Sequence, residues 1–150
     1  MERIKSFEDA MAVLGESHPL VIQYKEIYDN FLENGGDGVK DIVAYLKLRI
    51  IVAALNEGWE PQFTEEEYRW YPWFTLWTEG ELPENTEELK IDNALWLICG
   101  DSGSVWTGSN VGCSARLAVK SKELANYFGK QFIDIWDDYV GPFNRKESEE

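Results

Sequence analysis

The stretch from Val39 to Leu55 constrains this chain more than any other. Apolar residues at Val39, Ile42, Val43, Leu46, Ile50, Ala53 and Ala54 recur at helical spacing. From Leu48 onward nearly every position is apolar, so the second half has no wet face. A helix that is apolar all round is a buried one. At a rise of about 1.5 Å per residue the stretch is roughly 26 Å long, close to the span of a bilayer. Lys47 and Arg49 interrupt it, however, and the apolar run after them is too short to cross. The reading is a central core helix. Asp37 stands ahead of it as a possible N-cap, and Gly58 lies beyond it where a left-handed C-terminal cap is wanted.

The rest of the chain has to surround that rod. Its 150 residues suit one domain with one core, and with 44% apolar residues a packed core is expected. A formal net charge of −14 repels nucleic-acid phosphates and anionic lipid, so neither is expected as a partner; it accounts for a solvated acidic surface, or suits a basic protein partner. The start, Met1-Glu2-Arg3-Ile4-Lys5-Ser6, has no apolar targeting segment, which makes the cytoplasm the expected compartment. Cys99 and Cys113 are too few for a disulfide scaffold.

Ahead of the rod, Ser6 caps a short helix with Asp9 in the capping-box position, and Gly15 ends it. Pro19 opens a second helix, where its missing N–H costs nothing, and Leu20, Tyr24, Ile27, Tyr28, Phe31 and Leu32 form its apolar stripe. Asn34-Gly35-Gly36-Asp37-Gly38 is a turn. After the rod, Thr64 can cap an acidic turn. The aromatic segment Tyr68 to Trp77 contains Pro72, which confines any strand there to an edge or an irregular position. Thr78 to Asp92 reads as an acidic loop. Ala94 to Cys99 reads as a buried strand, and Cys113 to Lys120 as a second strand paired with it as a hairpin, with a short extra strand near Trp106. Ser121 caps one last helix, with Leu124, Phe128, Phe132, Ile135, Trp136 and Tyr139 inward and Gly129 inside it, stopped by Gly141-Pro142. The expected fold is therefore α+β: N-terminal helices and a C-terminal helix packed on a small antiparallel sheet. A single globular domain covers residues 1–143, and residues 144–150 form a charged tail.

Few residues assemble into recognisable chemistry. Gly100-Asp101-Ser102-Gly103 matches the local signature around the nucleophile of trypsin-like proteases. A serine nucleophile needs an imidazole base oriented by a carboxylate, and the one histidine, His18, stands at a helix start. A turn accounts for these residues instead. The Gly-rich run lacks the Gly-Lys-Ser/Thr ending of a phosphate-binding loop. Two cysteines with one distant histidine make no zinc set, and no calcium-loop pattern occurs. No catalytic, cofactor-binding or metal-ligating residue is assigned, and no cofactor is expected. Arg116, Lys120, Lys122 and Lys130 form a small basic cluster that either pairs with the acidic surplus or docks an anion. The best candidate binding surface is aromatic, Trp70, Tyr71, Trp73, Trp77 and Trp106: these rings either cap the open end of the core or, where exposed, stack on sugar rings or on a partner's apolar patch.

Ala115-Arg116-Leu117-Ala118-Val119-Lys120-Ser121-Lys122-Glu123-Leu124-Ala125, with Gly129-Lys130-Gln131-Phe132, resembles the C-terminal signature of a small uncharacterised protein family of phages and prophages of gut bacteria. Trp59-Glu60-Pro61 followed by Tyr71-Pro72-Trp73-Phe74 is similar to its middle. The family has no established activity, so the resemblance implies context alone: a soluble accessory protein inside a bacterial host. The expected function is a non-enzymatic interaction protein of phage or prophage origin that binds a protein partner through the aromatic edge or the Gly-rich hairpin. The alternatives are a small-ligand or carbohydrate-binding module using exposed Trp residues, and an acidic nucleic-acid mimic.

Overall fold

The central rod dictates the packing. In a computed structural model, which describes residues 3–34, 39–62, 67–76, 97–105 and 115–140, it forms α3, Lys40–Asn56. Leu48, Ile50 and Ile51 are fully buried, and Val52, Ala54, Leu55 and Asn56 nearly so. Its first half is wetter than its spacing implies, and Ile42 is 47% exposed. α1 (Phe7–Leu14), α2 (Pro19–Asn34) and α5 (Ile133–Val140) pack against α3, and α4 (Lys122–Gln131) packs against β1 (Arg69–Leu76) and β2 (Leu97–Val105). The fold is mixed and helix-dominated. One cluster of buried apolar side chains draws on all five of these helices.

Local chemistry explains the helix ends. The Ser6 Oγ accepts the Asp9 N–H at 3.1 Å, and the Asp9 carboxylate accepts the N–H groups of Ser6 and Lys5 at 3.1 and 3.0 Å. This reciprocal box satisfies donors that the first turn leaves without partners. Gly15 terminates α1 at φ 92°, and Ser121 caps α4 by accepting the Leu124 N–H at 3.2 Å. α3 is capped differently from the expectation. Its N-cap is Val39, with no side-chain hydrogen bond, while Asp37 lies outside the described residues. Its C-terminal left-handed position is held by Glu57 (φ 50°), with Gly58 following at φ 91°.

The strands pair otherwise than the hydrophobic pattern implies. β1 and β2 run antiparallel, Arg69 opposite Val105 and Leu76 opposite Leu97, with an irregularity between Trp73 and Phe74. Among the described residues, Leu97, Ile98 and Cys99 pair with β1 and not with residues 115–120 as the expected hairpin requires. Ala115–Leu117 is a 3₁₀ turn, and Val119 makes one isolated bridge to Trp70. Leu117, Ala118 and Val119 are all buried. A strand with one wet face buries alternate residues, so three in a row mark a segment enclosed on both sides. The Trp70 N–H and C=O both point to Val119, at 3.1 and 2.9 Å. Two residues on, Pro72 turns its nitrogen to the same side, so its missing donor removes no β1–β2 hydrogen bond and also ends the Val119 bridge. Residues 100–103 lie within β2 and not in a turn. The strand near Trp106, the acidic loop and the 144–150 tail lie outside the described residues.

The single last helix is two. Phe132 leaves helical geometry (φ −112°, ψ 30°), and its carbonyl accepts the N–H groups of Ile135 and Trp136, both at 3.1 Å, which starts α5. Phe132 and Trp136 both belong to the core cluster. Fully buried Trp136 sits against Phe74 and Phe128 at ring-centroid distances of 4.8 and 4.9 Å. Arg69, also fully buried, is paired with Glu67 at 3.3 Å, as a buried cation requires.

Candidate functional site

Arg49, Val52, Ala53 and Asn56 stand at i, i+3, i+4 and i+7 on α3 and share one face. Arg49 and Ala53 are the two residues between Leu48 and Asn56 that are not buried. This face lines a cavity of about 660 Å³. The α1–α2 junction contributes Leu14, His18 and Leu20, the chain leaving α3 contributes Gly58 to Pro61, and Arg116 and Ala118 come from the 3₁₀ turn and just beyond it. Val52, Asn56 and Ala118 are buried and form the floor, while Gly58, Glu60 and Arg116 are exposed and form the rim.

Backbone geometry keeps the cavity open. The left-handed pair Glu57-Gly58 turns the chain sharply off α3, and the Trp59 N–H returns to the Asn56 carbonyl at 3.0 Å. The same carbonyl accepts Lys120 Nζ at 3.3 Å, and Asn56 Nδ2 donates to the Ala118 carbonyl at 3.0 Å. These bonds fix one wall to the end of α3. On the opposite wall the Leu20 N–H donates to His18 Nδ1 at 3.2 Å. A nitrogen that accepts carries no proton, so the ring proton is on Nε2 and that nitrogen is a donor. Arg49 makes no hydrogen bond or ion pair among the described residues. Asn56 Oδ1 is buried and has no hydrogen-bond partner among them.

The aromatic surface expected from sequence is partly dismantled. Tyr71 is only 3% exposed, so it belongs to the interior. Trp70 is half-buried against the core and stacks on Tyr68 at 6.4 Å, and Tyr68 is itself 58% exposed. Trp73 lies in β1 opposite Asp101. Trp77 and Trp106 lie outside the described residues, as does Cys113. The basic cluster divides: Lys120 approaches Glu57 at 3.9 Å, Arg116 lines the cavity, and Lys122 and Lys130 are exposed on α4. Sequence reasoning passed over Arg49 and Ala53. The signal was present, an arginine inside a helix half with no wet face. Among the described residues, no group of three His, Cys, Asp or Glu converges as a metal site would require, and no helix is long and apolar enough to cross a membrane.

Compared with known proteins, the chain matches no family model, no curated protein and no solved structure.

Proposed function

We propose that this chain is a small-molecule-binding protein and that the cavity beside α3 is its ligand site. The observation that carries this reading is the cavity itself. Its 660 Å³ falls within the roughly 300–1,000 Å³ of small-molecule sites, and its wall is apolar apart from a few polar groups. Bonds from Asn56 and Lys120 hold two of its sides together, so the site is preformed. The β1–β2 pair serves as the described part of a small antiparallel sheet behind the helices.

The wider reading is an accessory protein of phage or prophage origin, cytoplasmic in a bacterial host, that engages a protein partner. One observation favours the protein partner: exposed Tyr68, stacked on Trp70, presents an aromatic step at the end of β1.

Amide NMR with a panel of neutral and charged aromatic fragments tests the cavity reading. Binding is expected to shift the amides of Asn56, Gly58 and Trp59. Ala53→Trp, which fills the cavity from a helical position, is expected to abolish those shifts while leaving the rest of the spectrum intact. Shifts confined to Tyr68 and Trp70 move the site to the aromatic step, and a panel that moves no amide overturns the reading.

A further inference from the structure

The charge and tautomer pattern inside the cavity specifies the ligand further. The whole chain carries 14 basic and 28 acidic residues. The cavity departs from this balance, since its charged lining is Arg49, Arg116 and Glu60. Arg49 is half-buried on α3 and engages no acceptor among the described residues. A guanidinium held partly out of water stabilises nothing unless an acceptor completes it, and its fork matches a planar oxyanion. His18, locked by its bond from Leu20, adds a second donor in Nε2–H. Leu14, Leu20, Val52 and Trp59 line the same cavity and suit an apolar or aromatic body.

We infer that the cavity binds an organic carboxylate, with the carboxylate against Arg49 and the apolar body against Leu14, Leu20, Val52 and Trp59. A monoanion is favoured over a phosphate ester because the field of a −14 chain opposes a second negative charge while one guanidinium fork pairs fully with one carboxylate. This inference rests on the cavity being a ligand site.

Titration calorimetry with three probes of one shape, 2-naphthoate, its neutral amide and 2-naphthyl phosphate, separates the claims. The carboxylate is expected to bind at least about tenfold more tightly than the amide, which corresponds to roughly 1.4 kcal/mol, and more tightly than the phosphate. Arg49→Gln, which removes the charge at similar helix propensity, is expected to bring carboxylate and amide within about twofold of each other while amide affinity holds. Arg49→Lys is expected to recover part of the difference. Equal affinities for carboxylate and amide in the wild type overturn the anion assignment and leave the cavity reading standing. A preference for the phosphate overturns the monoanion choice. If none of the three binds the wild type, or if they bind the Ala53→Trp variant as tightly as the wild type, both readings fall.

Discussion

Tyr24 shows how one side chain gives the fold a pH dependence. It is 6% exposed, edge-on to Phe7 at 4.8 Å and stacked on Tyr28 at 5.5 Å. Burial, with smaller contributions from Tyr28 and Glu8, pushes its hydroxyl from 10.0 up to about 12. The folded chain therefore keeps a proton that the unfolded chain has released. The contribution is whole below pH 10 and is lost as pH rises towards 12. The urea midpoint is expected to fall across that window, and less steeply in Tyr24→Phe. Some slope remains in that variant, because burial also raises the Tyr127 hydroxyl. An unchanged slope in Tyr24→Phe places the dependence elsewhere. At the acid end the sign reverses. The Lys5 N–H, foremost among several causes, holds Asp9 below its usual 3.8, so its contribution is present above that value and is lost as pH falls below it.

Helix α3 ends on a residue that pays for its conformation. Glu57 occupies the left-handed region, which disfavours a side chain with a Cβ by about 1 kcal/mol, and its ion pair with Lys120 spans 3.9 Å between exposed groups. Glu57→Gly is expected to raise stability by roughly 0.5–1 kcal/mol, read as a higher urea midpoint at unchanged slope. A lower midpoint shows that the ion pair outweighs the strain. The expectation of Gly58 as the cap was thus one residue late, although it placed the turn correctly. The helices were legible because their signals are local: Ser6 with Asp9, Gly15, Pro19, Ser121 and the apolar run of α3 all act within a turn or two. The strand partners were not, because pairing depends on residues far apart. The buried run Leu117-Ala118-Val119 looks like a strand until α3 and β1 are seen to enclose it. Tyr71 looked like a binding residue for the same reason: a Tyr–Pro–Trp run does not say which face meets the core. The cavity lay still further from view, since Arg49, His18 and Trp59 come together only through the turns after α1 and α3.

The whole molecule balances a tightly packed interior against a surplus of negative charge. At −14, self-repulsion opposes the compact state, and salt screens it. The melting temperature is expected to rise by roughly 2–4 °C between about 10 mM and about 150 mM sodium chloride, the shift that about 1 kcal/mol produces in a chain of this size. A flat or falling dependence indicates that the acids are already paired. Hydrogen bonds join distant segments: the Tyr127 hydroxyl donates to the Ile4 carbonyl, and Gln131 Nε2 donates to the Lys5 carbonyl at 2.8 Å. A ribosome adds residue 4 well before residue 127, a gap of 123 residues or roughly 6–25 seconds at ordinary elongation rates. For that interval the Ile4 and Lys5 carbonyls lack Tyr127 and Gln131, so the nascent chain carries an open seam that only α4 can close.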